Sequence, residues 1–182
     1  MTIAKTIAVF GALSLFPCHS LAQKIEYKGC IVDAEVWKLP ACALEKRKDG
    51  KLFVEQRYLA PFRFEKPYGY AWSSLPEGDL AYFDRGGEIR VRHVAMFDNG
   101  PSPFHHGLVR VEQSGKWGLA NANGTLVVPP IYDGILEPSP PSNHWRVCRS
   151  CQTKPTGDYS YFDGGTWENL DQRGRPISSA LH

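Results

Sequence analysis

The chain has 182 residues, with 21 Lys and Arg against 19 Asp and Glu, and its 42% apolar content belongs to an ordinary globular protein of one domain. A formal charge of +2 leaves no concentrated basic face to neutralise many phosphates, so nucleic acid is excluded as a partner. The 17 Gly and 14 Pro against 2 Met favour many short strands and turns over long helices.

In chain order, Lys5 precedes an apolar run from Ile7 to Phe16, and Ser20-Leu21-Ala22 then offers small residues at the positions a signal peptidase reads. Residues 1–22 are expected to be a signal peptide cleaved near Ala22, delivering the protein to the periplasm or the exterior. The run falls short of the roughly 20 apolar residues that span a hydrocarbon core, and no second run approaches that length, so no membrane span is expected. A lipid on Cys18 is disfavoured, because Leu15-Phe16-Pro17 puts no small residue directly before it. Four cysteines then remain: Cys30, Cys42, Cys148 and Cys151. Four allow three pairings; short loops favour Cys30 with Cys42 and Cys148 with Cys151.

Residues 23–60 read as an N-terminal β cap. Ile25 to Trp37 carries β-branched and aromatic residues, and Asp49-Gly50 separates Ala43-Leu44-Glu45-Lys46 from Lys51-Leu52-Phe53-Val54 as a hairpin turn does.

From residue 61 to 178 one spacing recurs: Gly, an apolar residue at +2, Asp or Asn at +6, and Gly at +9. The copies are Gly78, Leu80, Asp84, Gly87; Gly115, Trp117, Asn121, Gly124; and Gly165, Trp167, Asp171, Gly174. Each reads as strand, tight turn, strand, with Asp or Asn opening the turn and Gly supplying the positive φ. A further strand precedes each copy, at Gly69 to Ser73, Gly107 to Val111 and His144 to Val147. The third copy is displaced by an insertion, Cys148 to Gly164, and without it the period is about 36. The expected fold is therefore all-β: repeated antiparallel hairpin units forming a twisted repeat sheet. Residues 179–182 read as a tail.

The middle copy, with Gly107-Leu108-Val109-Arg110-Val111, Gly115-Lys116-Trp117-Gly118-Leu119, Asn123-Gly124, Val128-Pro129-Pro130 and Tyr132-Asp133, resembles one full WG repeat. The outer copies depart from it, with Leu80-Ala81 and Trp167-Glu168 where Trp-Gly is expected, as terminal repeats often do. The resemblance implies a small exported bacterial β-rich protein, and implies no particular activity.

Cys148-Arg149-Ser150-Cys151 has redox spacing, but strand-like residues precede it and a Pro- and Gly-containing loop follows, unlike the helix start that a redox pair occupies. A structural disulfide is the expected state. His144 with Cys148 and Cys151 could supply three zinc ligands, yet an oxidising compartment favours the disulfide. His105-His106 would face opposite sides of a strand, and reads as a pair of solvated loop residues. No HExxH, G-x-S-x-G, P-loop or dinucleotide fingerprint is present, so no catalytic residues, metal or cofactor are expected. Trp117 and Trp167 share a repeat position and are expected to pack in the core. The insertion breaks the period, and loops leaving a regular scaffold carry binding surfaces, so the candidate site is Trp145, Arg146, Tyr159 and Tyr161.

These features point to a non-catalytic exported module that binds a protein or envelope component. The alternatives are a periplasmic inhibitor or immunity-type protein, and a thiol-disulfide or metal-binding protein using Cys148 and Cys151.

Overall fold

The computed structural model describes residues 24–27, 30–33, 38–97, 100–157 and 159–177. The signal peptide and the tail lie outside these residues. So does the Cys30 side chain, and with it the Cys30 to Cys42 pairing.

The described chain is all-β, its only helical pieces being single 3-10 turns at Ala41–Ala43 and Gln56–Tyr58. Strands β1 (Lys24–Tyr27) and β2 (Cys30–Asp33) pair antiparallel, as do β3 (Leu44–Lys46) and β4 (Leu52–Val54) across the Asp49-Gly50 turn. Next come β5 (Ala71–Ser74), β6 (Leu80–Phe83) and β7 (Ile89–Val94), then a short hairpin of β8 (Met96–Phe97) and β9 (Gly100–Pro101). A second triplet follows: β10 (Leu108–Gln113), β11 (Lys116–Asn121) and β12 (Leu126–Tyr132). The two triplets join through the β7–β10 pairing at Val94 and Val111, giving a six-stranded antiparallel sheet in the order β12-β11-β10-β7-β6-β5. The remaining strands are β13 (Gly134–Leu136), β14 (Trp145–Arg149), β15 (Gln152–Thr156), β16 (Tyr159–Asp163) and β17 (Thr166–Leu170). Strands β13, β14 and β17 form a three-stranded sheet, and β15 pairs with β16 alone.

One turn recurs. The Oδ1 of Asp84 accepts from the amides of Gly86 and Glu88 at 2.9 and 3.1 Å, that of Asn121 from Asn123 and Thr125 at 3.0 Å each, and that of Asp171 from Arg173 and Arg175 at 2.8 and 2.9 Å. A carboxylate or amide oxygen at this point satisfies two turn amides at once, which is why Asp or Asn stands there. Gly87, Gly124 and Gly174 then donate back to the carbonyls of Asp84, Asn121 and Asp171, each at 2.9 Å. The β3–β4 turn has the same backbone bonds, Gly50 donating to Arg47 and Arg47 to Lys51, both at 2.9 Å.

The turn glycines also set how neighbouring strands stack. A Cβ on Gly87 would lie 2.1 Å from the Val54 carbonyl oxygen on β4, and one on Gly124 would lie 2.0 Å from that of Arg90 on β7. A Cβ on Gly174 would lie 2.9 Å from Val128 Cγ2 on β12. Each turn thus seats on the last strand of the hairpin set before it. The apolar core follows this stacking as three clusters in series, centred on Phe83 and Leu75, on Val91 and Val109, and on Leu119 and Trp145.

Candidate functional site

The insertion between β14 and β17 folds as the β15–β16 hairpin, in register from Gln152 opposite Asp163 to Thr156 opposite Tyr159. Alternation puts Tyr159, Tyr161 and Asp163 on one face and Ser160 and Phe162 on the other. Only Phe162 docks. Its ring covers Gly134, where a Cβ would come within 2.6 Å of it, and it meets Trp117 and Trp167 edge-on at centroid distances of 5.7 and 6.4 Å. Tyr159 and Tyr161 point away and keep 73% and 47% of their surface in water. Lys154 and Asp163 pair beside them, and the ammonium holds the Asp163 carboxyl below the usual carboxylate range.

The base of the hairpin is fixed. Cys148 and Cys151 form a disulfide and both are buried. Asp133 accepts from the Ser150 amide at 2.7 Å and pairs with Lys116, and the Lys116 ammonium followed by that amide lowers its pKa. A Cβ on Gly165 would lie 2.4 Å from the Arg149 carbonyl oxygen, so the chain can leave the hairpin along this path only as glycine, whose φ is 73°.

The four expected site residues do not share one surface. Trp145 is a correction: it is fully buried, packed in the third core cluster with its ring edge-on to His105 at 5.8 Å. The alternation of β14 causes this, burying Trp145 and Val147 and exposing Arg146. Arg146 lies with its guanidinium 4.9 Å from the Trp167 ring centroid, on the side of the sheet where Phe162 docks. Trp117 and Trp167 are half-buried: Trp117 packs against the third core cluster, and both also meet the Phe162 ring as the seat of the hairpin.

A second polar cluster escaped the sequence reading because its members lie far apart in the chain. Buried Arg110 places its guanidinium 2.6 Å from Glu137 Oε1 and donates from Nε to Ser102 Oγ at 2.9 Å and from Nη1 to the Ile135 carbonyl at 3.1 Å. Ser102 in turn donates to Glu137 Oε1 at 3.0 Å, and His105 Nε2 lies 3.1 Å from Glu137 Oε2. Burial lowers the Arg110 pKa and raises that of Tyr82, whose hydroxyl donates to the Ser102 carbonyl at 3.1 Å. The Ser102 hydroxyl gives its proton to the carboxylate and accepts from the guanidinium, so both of its hydrogen-bonding roles are taken up inside the cluster. The cluster ties β10 to β13 and has the chemistry of a structural joint.

Among the described residues no group of three His, Cys, Asp or Glu side chains is placed to hold a metal ion, and no helix is long and apolar enough to cross a membrane. Comparison with curated proteins and with solved structures gave no match. A family model described as "WG containing repeat" matches residues 117–139, spanning the Trp117-Gly118 pair, β12 and β13. In that stretch the chain carries a WG repeat.

Proposed function

We propose that the protein is a non-catalytic exported module built of WG-type hairpin units, which binds a protein or envelope component through the exposed face of the β15–β16 hairpin. The observation that carries this reading is the mounting of Tyr159 and Tyr161. Two large aromatic side chains stand in water on a strand whose other face is bolted to the sheet by Phe162 and whose base is closed by a disulfide. Aromatic side chains held rigid lose little entropy on binding, and they carry most of the energy in many interfaces.

The unit organisation supports the same reading. The turns closed by Gly87 and Gly124 have one hydrogen-bond pattern and one seat on the preceding strand, and the Gly50 turn has the same backbone bonds without such a seat. That is the behaviour of a first, capping unit followed by stacked ones. The apolar run and Ser20-Leu21-Ala22 at the N-terminus supply the export signal in this reading. The buried Cys148–Cys151 disulfide serves as a structural clamp.

The test compares the wild-type protein with Tyr159→Ala/Tyr161→Ala, each immobilised and exposed to an isolated envelope fraction and a periplasmic extract. Retention by the wild type and its loss in the double variant supports the reading; equal retention by both removes it.

A further inference from the structure

The β15–β16 hairpin has two outer edges, and they are not equivalent. Pro155 stands opposite Ser160, and proline has no amide hydrogen to give. That pair must therefore be one of the non-hydrogen-bonded pairs of an antiparallel ladder, with the backbone groups of both residues directed outward. Alternation then directs the amide and carbonyl of Phe162 outward as well, while Tyr159, Tyr161 and Asp163 spend theirs on β15. On the β15 side the outer edge is blunted, because Pro155 has no donor and Lys154 adds a charge, two devices that discourage strand addition. On the β16 side there is no proline, and the single charge, Asp163, stands at the end of the strand paired with Lys154. Tyr159 to Asp163 contains neither proline nor lysine, and among the described residues no strand or backbone hydrogen bond covers its outer edge.

We infer that the outer edge of β16, through the outward backbone groups of Ser160 and Phe162, docks an extended peptide segment of a partner protein as an added strand. This rests on the hairpin being the binding surface and narrows its partner to a polypeptide. The added strand takes its affinity from main-chain bonds to Ser160 and Phe162. Its specificity comes from alternate β-branched or aromatic side chains that lie beside Tyr159 and Tyr161 on the exposed face.

The experiment selects linear peptides from a displayed library on the whole wild-type protein, then measures amide exchange and binding for wild type, Ser160→Pro and Tyr159→Ala/Tyr161→Ala. The edge predicts that selected peptides slow exchange at Ser160 and Phe162. It also predicts about tenfold weaker binding to Ser160→Pro, which loses one outward donor and keeps every inward bond. Selection of no peptide, or exchange unchanged at Ser160 and Phe162 in the wild-type complex, overturns the strand-addition inference. That measurement needs no variant to fold. If the envelope retention of the tyrosine variant still falls, the binding-surface reading survives that result; if it does not, both fall. Concentration-dependent protection of the same amides without peptide would show a second copy on the edge, and would also overturn the inference.

Discussion

Gly118 sits against the Val128 carbonyl so closely that a Cβ at position 118 would lie 2.5 Å from that oxygen. The cause is a bulge. Leu119 opposes Val128 and Trp117 opposes Tyr132, so Pro129, Pro130 and Ile131 all face the single residue Gly118. A Cβ there would also come within 2.8 Å of the Pro130 nitrogen, and both obstacles are backbone that cannot rotate away. Gly118→Ala is expected to cost about 2 kcal/mol by overpacking, read as a lower midpoint in urea unfolding with the Cys148–Cys151 disulfide intact. The neighbouring unit explains why alanine is accepted at the matching place. Leu80 opposes Val94 and Tyr82 opposes Val91, so Ala81 faces only Arg92 and His93, a bulge shorter by one residue. Glu168 on β17 pairs with Val147 without a bulge, and among the described residues no bulged strand lies against it.

The turn glycines separate backbone conformation from packing. Gly50 and Gly87 share φ values of 84° and 83°, but a Cβ on Gly50 meets nothing within 4 Å while one on Gly87 strikes the Val54 carbonyl. Gly50→Ala should therefore cost only the left-handed strain, about 1 kcal/mol. Gly87→Ala carries the same strain plus a collision that moves β4 away from its neighbour, and is expected to cost at least twice as much. Thermal unfolding of the two variants under one buffer checks the order; equal costs would mean that the seat on Val54 contributes nothing.

The turns were legible in the sequence because Asp or Asn and Gly fall at fixed offsets, and each of those residue types has a local reason to be there. The seat of the hairpin was not. In the sequence Phe162 is one more aromatic in an insertion, and its partners Trp117, Gly134 and Trp167 come from three different strands. The in-out order Trp145, Arg146, Val147 is a signal in the sequence that Trp145 is buried, and it outweighs the position of Trp145 next to the insertion. Arg110, Ser102 and Glu137 carry no motif, since ion pairs between distant segments follow from the fold and leave no spacing to find.

That ion pair makes a sharp prediction. Arg110→Ala strands Glu137 beside the core with only Ser102 and His105 as polar neighbours, and a broken buried pair costs about 3 kcal/mol. Replacing both members, Arg110→Met with Glu137→Leu, removes the stranded charge and should recover much of the loss. Urea unfolding of the two variants decides this; a double variant less stable than Arg110→Ala would mean that Ser102 and His105 need the carboxylate more than the core needs the cation.

Asp133 links stability to pH. Lys116 and the Ser150 amide favour its charged form, so its pKa in the folded protein lies below the ordinary 3.8. A lowered carboxyl pKa contributes stability above 3.8 and gives it up as the pH falls through the folded value. Asp163 and Asp171 shift in the same direction, through Lys154 and through the Arg175 amide. The melting temperature is expected to hold down to about pH 4 and then fall, with Asp133→Asn showing a shallower fall than wild type. A variant that keeps the full wild-type acid slope would show that the hairpin base draws nothing from this carboxylate.

What holds the tyrosine face in place can be assigned to Phe162 or to the disulfide by removing each. The Cys148–Cys151 bridge closes a loop with a sequence separation of 3, and a loop that short removes only about 2 kcal/mol of unfolded-chain entropy. Its loss, in Cys148→Ala/Cys151→Ala, lowers global stability but leaves Phe162 wedged between Trp117 and Trp167. Phe162→Ala acts on the hairpin itself: every other side chain of β15 and β16 with assigned burial is exposed, so nothing else docks the ribbon on the sheet. Limited proteolysis near Gly157 should therefore quicken more in Phe162→Ala than in the cysteine variant, even where the two have the same melting temperature. Faster cleavage in the cysteine variant would place the anchor at the base of the hairpin and not at its ring.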